Sequence, residues 1–277
     1  MTLETLSAAK AHGGTQGVYR HASSATRTDM AFSVFVPDHD EGARLPVVWY
    51  LSGLTCTHAN VTDKGEYRAA CAELGVIFVA PDTSPRGDGV PDDDAWDFGQ
   101  GAGFYVDATE APWAKNFRMW TYVTDELPAL IAAHFPADPT RQSIMGHSMG
   151  GLGALTIGLT FPERFRAVSA FAPIVAPTQV PWGKALRRYL GDDPSVLRRH
   201  DAVALIEDGA RVDALLVDQG GADPFLAEQL KPDLLAAVCA DAGIDLTLRM
   251  RPGYDHSYHF ISTFMADHLR RHAARLG

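Results

Sequence analysis

The sequence predicts an α/β protein in which residues 1–277 form one domain around a mostly parallel sheet. Short apolar segments alternate with segments of helical spacing along most of the 277 residues, and strands that alternate with helices form βαβ units. The composition, 46% hydrophobic and 21% charged, supplies a large packed core. We find no repeat, low-complexity run or linker that would divide the chain into further domains.

The first elements are predicted to build one edge and the middle of this sheet. Two strands, residues 16–23 and 30–37, are joined by a polar turn and are expected to pair antiparallel at a sheet edge. Residues 46–51 and 76–81 are nearly continuous apolar runs, typical of strands covered on both faces. Between them, residues 64–75 have helical spacing and a terminal glycine suited to a helix C-cap.

The middle of the chain begins with a long segment, residues 82–112, that is rich in glycine, aspartate and aromatic residues. Its length and composition predict an ordered functional loop. A helix is predicted around residues 116–135, where Pro128 can introduce a kink. The elements that follow are a strand at 142–145, a helix from Ser148 or Met149 and a strand at 167–173.

The last part of the chain begins with a segment that has the character of a cap-like insertion, residues 174–208. The remaining predicted elements are a strand at 214–220, a helix at 224–242, a strand at 245–250 and a terminal helix from about Tyr258. Each strand is again followed by a helix, which extends the parallel sheet.

Charge and composition exclude several classes of protein. The net charge of -10 and the isoelectric point of about 5.5 argue against a nucleic-acid binder that relies on a basic surface. No apolar run approaches the roughly 20 residues of a membrane span. The amino-terminal stretch lacks the apolar core of a signal peptide, and the three cysteines are few and widely spaced. These features predict a cytoplasmic protein that binds neither nucleic acid nor membrane.

A serine lies at the centre of the stretch Gly146-His147-Ser148-Met149-Gly150, between a short apolar run and a helical segment rich in small residues. This context is typical of a nucleophile elbow, a sharp strand-to-helix turn that exposes the serine hydroxyl in a strained conformation. The amide of Met149 would lie at a helix N-terminus, where donors are unpaired and negative charge is favoured. The alternative interpretation is an ordinary tight turn.

A serine nucleophile needs a histidine base and an acid that orients it. In this architecture both follow the serine, acid first, each on a loop after a later strand. Two carboxylates qualify as the acid. Asp223 lies beyond Gly220-Gly221 on a turn that can bring it over the sheet edge, and we favour it, although it could instead be a helix N-cap. Asp218, at the strand end, is the second candidate.

His256 is the predicted base because it lies on the loop after the last strand, beyond Pro252-Gly253. His259 is expected to lie in the following helix, and His268 and His272 to be surface residues of that helix. The chain order Ser148, Asp223, His256 is much more specific than any one of its members.

A second oxyanion donor is expected in the loop after the strand at 46–51. There Gly53 lets the backbone turn close to the site, and the amide of Leu54 would lie opposite that of Met149. Cys56 is interpreted as a small buried residue, with a reactive thiol as the alternative.

Several longer motifs extend this pattern, among them LSGLTCT, WDFGQGAGFYVDAT, GHSMGGLGAL, DQGGADPFL and GYDHSYHFI. Together they resemble the S-formylglutathione hydrolase family, also called esterase D, from about residue 17 to the C-terminus. Two departures are Ala222, where the family often has a second acidic residue, and the acidic loop at residues 87–99. Because Ala222 is not acidic, Asp223 is the one acid beyond the two glycines.

The resemblance implies an α/β-hydrolase fold with helices on both faces of the sheet, no metal or organic cofactor, a cytoplasmic location and a homodimer. It also implies a catalytic triad of Ser148, Asp223 and His256, with Leu54 and Met149 as oxyanion donors. The implied reaction is hydrolysis of S-formylglutathione through a formyl-serine intermediate, in the detoxification of formaldehyde.

A formyl group needs only a minute pocket, and Trp182 and Trp96 are candidates to restrict it, with core packing as the equal alternative. Glutathione is anionic, so basic residues are candidate contacts, although each could equally be a surface or ion-pair residue: Lys184, Arg86, Lys115 and Arg118.

Two other functions remain open from the sequence. One is a general carboxylesterase for short acyl esters, which would use the same catalytic groups. The other is a binding module on a hydrolase scaffold, which would have no need for a complete triad.

Overall fold

The computed structural model describes residues 2–277, and in that range a twisted sheet of nine strands forms the centre of the molecule. The strands are β1 (Glu4–Ala11), β2 (Gly14–Ala22), β3 (Asp29–Pro37), β4 (Leu45–Leu51), β5 (Ile77–Pro81), β6 (Ala137–His147), β7 (Phe165–Phe171), β8 (Ala214–Gly220) and β9 (Asp245–Arg251). Their order across the sheet is β1-β2-β3-β5-β4-β6-β7-β8-β9. The first three strands pair antiparallel, β3 pairs antiparallel with β5, and all pairs from β5 to β9 are parallel.

Helices cover both faces of this sheet. They are α1 (His58–Lys64), α2 (Arg68–Leu74), α3 (Met119–Thr121), α4 (Leu127–His134), α5 (Met149–Thr160), α6 (Gly183–Leu190), α7 (Pro194–Arg198), α8 (Ala202–Glu207), α9 (Pro232–Ala242) and α10 (Tyr258–Leu276). Helix α10 packs with α1 and α2 on one face, while α5, α8 and α9 form a layer on the other. The central strands β4 and β5 are therefore almost completely buried, and the predicted α/β class with a mostly parallel sheet is confirmed.

The edge of the sheet differs from the prediction by one strand. The predicted pair corresponds to β2 and β3, but β1 adds a further antiparallel strand outside them. Its sequence, ETLSAAKA, is exposed along nearly its whole length. An edge strand without a buried face shows no alternation of apolar and polar residues, so the sequence pattern contained no signal for it.

The helix predicted at residues 64–75 is shorter than expected, and a separate helix that was not predicted precedes it. Helix α1 ends at Lys64, and α2 begins at Arg68. Between them Glu66 has a left-handed backbone conformation, with φ of 52°, which an α-helix cannot contain. The C-cap at Gly75 is confirmed, with φ of 66°.

The helix predicted around residues 116–135 begins at Met119 and contains a π-helical turn, Tyr122–Glu126, immediately before α4. Pro128 has no amide hydrogen, so it leaves the carbonyl of Thr124 without its helical partner. The guanidinium of Arg164 donates a hydrogen bond to that carbonyl at 2.5 Å. The π turn and Arg164 together accommodate the proline inside the helical segment.

The helix predicted at residues 224–242 is also interrupted. A π-helical turn, Leu226–Leu230, is followed by Lys231 with φ of 43°, and α9 begins at Pro232. Proline is favoured at this first helical position, where its missing amide costs nothing.

The segment at residues 174–208 contains a 3₁₀ turn, Pro177–Gln179, and the helices α6, α7 and α8. Helix α8 packs on α5 and α9, while α6 lies nearer the carboxyl ends of the strands, as the contacts of Trp182 below indicate. Within residues 2–277, none of the helices combines the length and apolar character needed to cross a membrane.

Candidate active site

Ser148 occupies a sharp turn between the end of β6 at His147 and the start of α5 at Met149. Its φ of 58° and ψ of -118° form a strained conformation for a residue with a side chain. The turn requires glycine on both sides. A Cβ atom on Gly146 would lie 2.1 Å from the carbonyl oxygen of Gly150, and one on Gly150 would lie 1.9 Å from that of Leu51. The two glycines are thus explained by backbone contact.

The loop after β4 lies directly against this turn. A Cβ atom on Gly53 would lie 3.1 Å from the Cβ of Ser148, so the amide of the next residue, Leu54, follows beside the serine. Among residues 2–277, the amides of Leu54 and Met149 donate no backbone hydrogen bond. Free amides next to the serine turn are the kind of donor that an oxyanion hole would require.

His256 and Asp223 are joined by a short hydrogen bond. The Nδ1–H of His256 donates to Oδ2 of Asp223 at 2.5 Å. The carboxylate also accepts from the amide of Phe225 at 2.8 Å and from the side-chain amide of Gln219 at 3.2 Å. Because the Nδ1–H group donates to Asp223, Nε2 of the neutral imidazole is the free acceptor, as a general base requires.

The His256 ring also lies close to the serine turn. Its centroid is 4.5 Å from that of His147, the residue that precedes Ser148. The Ser148 hydroxyl has no hydrogen-bond partner among residues 2–277, so no hydrogen bond links it to His256. Catalytic hydrogen bonds are often long in free enzymes and tighten when substrate binds.

His147 is a buried neighbour of this site that the sequence did not single out. Both ring nitrogens lack a hydrogen-bond partner in the described part of the chain. Burial lowers the pKa of His147 well below its usual value, and the nearby His256 lowers it further. The imidazole is therefore neutral and packs against His256 without adding charge. Only its position before the serine could have drawn attention to it.

Asp218, the second candidate acid, has different partners. Its carboxylate accepts hydrogen bonds from Arg249 at 2.6 and 2.8 Å and from Arg251 at 3.2 Å, and it lies 3.3 Å from Nε2 of His268. Burial alone would raise the pKa of Asp218, but the hydrogen bonds from His268 and the arginines outweigh it and hold it at about 2. Asp218 therefore anchors a buried ion-pair cluster.

The prediction that His268 and His272 are surface residues is wrong. Both are fully buried, and they lie 2.8 and 2.6 Å from the hydroxyl of Ser169 on β7. They occupy the face of α10 that packs on the sheet. Because histidine is polar, its presence on that buried face does not show in the sequence as apolar residues at helical spacing. His259 lies in α10 and is exposed, as predicted.

Two of the predicted substrate contacts, Trp182 and Trp96, are linked to His256 through the side chain of Phe225. Phe225 packs 5.1 Å from the His256 ring, and Trp182 packs 5.0 Å from Phe225, measured between centroids. Trp182 is buried, whereas Trp96 is 58% exposed and contacts it edge-on at 6.2 Å. Lys184 forms an ion pair with Asp97 at 2.9 Å.

Two of the other three basic candidates have local partners. Arg86 donates to the carbonyl of Cys56 at 2.9 Å, and Arg118 pairs with Asp107 at 3.2 Å. Lys115 ends a 3₁₀ turn. The Cys56 side chain is buried, which raises the pKa of its thiol and keeps it protonated at neutral pH.

Comparison with known proteins places this site in a family. Residues 23–271 match the esterase family described as "Putative esterase". The chain is 54% identical to the S-formylglutathione hydrolase of Paracoccus denitrificans over 100% of both chains. It is 49% identical to that of Mus musculus, over 100% of this chain and 99% of the mouse protein.

A solved structure of an S-formylglutathione hydrolase from Agrobacterium tumefaciens is 57% identical to the chain and has a TM-score of 0.97 to it, over 99% of both chains. This likeness establishes the α/β-hydrolase fold. The chain belongs to the esterase family and, within it, to the S-formylglutathione hydrolase family.

Proposed function

We propose that this protein is a serine thioesterase that hydrolyses S-formylglutathione to glutathione and formate. The observation that carries the proposal is the 54% identity, over the whole of both chains, to the S-formylglutathione hydrolase of Paracoccus denitrificans. The short hydrogen bond between His256 and Asp223, beside a strained Ser148, supports a nucleophilic mechanism.

In the first step Ser148 attacks the formyl carbon while Nε2 of His256 takes the hydroxyl proton. Asp223 holds the imidazole tautomer and stabilises the imidazolium that forms. Glutathione leaves as a thiolate, which is a good leaving group, and the proton on His256 passes to it or to solvent, so that His256 is again a free base. Water activated by His256 then attacks the formyl-serine and releases formate, which restores the free hydroxyl.

The amides of Leu54 and Met149 stabilise the negative charge on the formyl oxygen in both steps. Loss of one such donor typically costs about 3–4 kcal/mol in the transition state. The close approach of Gly53 to Ser148 supports this role for the loop that carries Leu54.

Trp182 and Lys184 lie in the segment at residues 174–208, which we propose is a cap-like insertion within a single domain. Trp182, through Phe225, limits the space beside His256 and favours the smallest acyl groups. Trp96 and Lys184 contact the glutathione moiety. Trp96 has 58% of its surface free for this contact, although the ammonium of Lys184 is shared with Asp97.

The test is steady-state hydrolysis of S-formylglutathione by the purified protein beside a panel of simple esters, including 4-nitrophenyl acetate. The proposal expects kcat/KM for S-formylglutathione to exceed that for every ester. Equal or lower values would favour the general carboxylesterase. Ser148→Ala should abolish both activities and the stoichiometric labelling by a fluorophosphonate; a folded parent protein that takes no label would instead favour a binding module.

The remaining proposals concern the setting of the enzyme. We infer that it works in the cytoplasm, as a homodimer and without a cofactor, in the removal of formaldehyde as its glutathione adduct. Light scattering coupled to size exclusion tests the dimer, and a monomer at micromolar concentration would contradict it.

A further inference from the structure

A cavity of about 510 Å³ opens at the end of the sheet opposite Ser148. It is bounded by the beginning of β7 at Phe165, the beginning of β8 at Ala214 and the last turns of α10. Ser148 follows the carboxyl end of β6, whereas this cavity surrounds the amino ends of the neighbouring strands. The cavity is therefore separate from the proposed catalytic site.

Basic residues dominate the charge of this cavity. Four arginines line it, against the two carboxylates of Glu163 and Asp213; the arginines are Arg166, Arg211, Arg271 and Arg275. Among residues 2–277 none of these six groups takes part in a salt bridge. Three of the guanidinium groups donate only to neutral oxygens. The cavity thus holds an excess of positive charge on a protein whose net charge is -10.

A fully buried histidine, His272, also lines the cavity, and its Nδ1 has no hydrogen-bond partner in the described chain. Its Nε2 lies 2.6 Å from the hydroxyl of Ser169, which lies 2.8 Å from Nδ1 of His268. The other nitrogen of His268 lies 3.3 Å from Asp218. Buried polar atoms without partners are rare in folded proteins, so the orphaned Nδ1 points to a missing partner.

The hydrogen-bond chain fixes what this partner must be. The carboxylate of Asp218 only accepts, so Nε2 of His268 carries the proton. Both imidazoles are neutral, because burial lowers the pKa of His268 and holds that of His272 at about 3. Nδ1 of His268 therefore accepts from Ser169, and Ser169 accepts from Nε2 of His272. This leaves Nδ1 of His272 as an acceptor without a donor among the described residues.

We propose that this cavity binds an oxyanion that also carries a hydroxyl group, of which hydrogenphosphate is the simplest. Guanidinium groups contact its charged oxygens, which they bind in a planar, bidentate manner. Nδ1 of His272 accepts a hydrogen bond from its hydroxyl group. Sulfate has the same shape but no proton at neutral pH, so its oxygen would face the lone pair of Nδ1 and repel it.

The experiment is calorimetric titration of the full chain at pH 7.5 with inorganic phosphate and, separately, with sulfate at equal ionic strength. The proposal expects phosphate to bind about tenfold or more tightly than sulfate, because a site built around a ligand hydroxyl rejects the analogue that lacks it. Lactate against propionate repeats the comparison for a carboxylate and identifies which hydroxyl-bearing oxyanion the cavity prefers.

Arginine variants on α10 locate the binding. Arg271→Gln and Arg275→Gln should each weaken phosphate binding about tenfold, since each removes a charge-assisted hydrogen bond. The matched control is Arg270→Gln on the same helix, which removes the same charge from a residue outside the cavity that pairs with Asp267. It should leave phosphate affinity unchanged.

Three results would overturn the proposal. The first is the absence of heat with either phosphate or lactate, and the second is equal affinity for sulfate and phosphate. The third is an equal loss of affinity in the Arg270 and Arg275 variants, which would indicate diffuse attraction by surface charge.

Discussion

Two buried aspartates, five residues apart on the same sheet edge, have acquired opposite tasks through their partners. Asp218 is surrounded by Arg249, Arg251 and His268, so its charge is neutralised within the core. Asp223 has no arginine or lysine among its hydrogen-bond partners, which are the imidazole of His256, the amide of Phe225 and the side-chain amide of Gln219. The carboxylate of Asp223 can therefore stabilise an imidazolium that forms during the reaction, because no arginine neutralises its charge.

This difference predicts opposite effects of the same substitution. Asp223→Asn should keep the fold and lower kcat by roughly 10³–10⁴, because an amide favours the wrong imidazole tautomer and cannot stabilise the cation. Asp218→Asn should leave kcat near that of the parent but lower the free energy of unfolding by about 3 kcal/mol, as a buried ion pair is broken. Steady-state kinetics and thermal unfolding of both variants check this, and full activity in Asp223→Asn would identify the wrong carboxylate as the acid.

Chain order accounts for how well single residues could be predicted. Ser148, Asp223 and His256 each follow a strand in an α/β pattern, so their positions point to one sheet edge before any coordinates are known. His147 and His272 have no such signal. Their burial depends on how α10 and the serine turn pack, which is a tertiary property that sequence spacing does not encode.

At the scale of elements, the breaks in the helices depend on tertiary contacts in the same way. Pro128 signals a disturbed helix, but the hydrogen bond that satisfies the freed carbonyl of Thr124 comes from Arg164, which is distant in the chain. The left-handed residues Glu66 and Lys231 are ordinary helix formers by propensity. Strands with buried faces were predicted well, since burial itself produces the apolar runs that identify them.

The turn that presents Ser148 depends on glycines whose tolerance of a side chain differs. Gly53→Ala should fold but lower kcat about tenfold or more, because its Cβ would lie 3.1 Å from that of Ser148 and 3.2 Å from Nδ1 of His147. The loop must then move by a few tenths of an ångström, and the amide of Leu54 moves with it. The rate falls because catalysis is sensitive to displacements of this size. Gly150→Ala should prevent the native turn, since its Cβ would meet a backbone oxygen at 1.9 Å.

Kinetics and near-UV circular dichroism separate these outcomes. Gly42→Ala is the control. Its φ is 80° and its Cβ would meet nothing within 4 Å, so it should cost about 1 kcal/mol of stability without a change in kcat. A Gly53 variant with parental kcat would argue against a role for the Leu54 amide.

At the scale of the whole molecule, charge opposes the proposed substrate. The protein has a net charge of -10, and S-formylglutathione carries more negative than positive groups at neutral pH. Of the candidate basic contacts, Lys184 is paired with Asp97 and Arg118 with Asp107. Arg86 donates only to neutral oxygens, and its single charge is small beside the net charge of the molecule. The long-range field should therefore repel the substrate during its approach.

Salt should consequently raise kcat/KM for S-formylglutathione. The Debye length falls from about 30 Å at 0.01 M salt to about 8 Å at 0.15 M, which screens the long-range repulsion while leaving short contacts in the site intact. We expect kcat/KM to rise about twofold to tenfold over this range, and that for the neutral 4-nitrophenyl acetate to stay constant. If kcat/KM for S-formylglutathione alone fell as salt was added, local cations would attract the substrate more strongly than the whole molecule repels it. If the Lys184→Met variant then showed no such decrease in kcat/KM, the cation responsible would be Lys184, released from Asp97 when substrate binds.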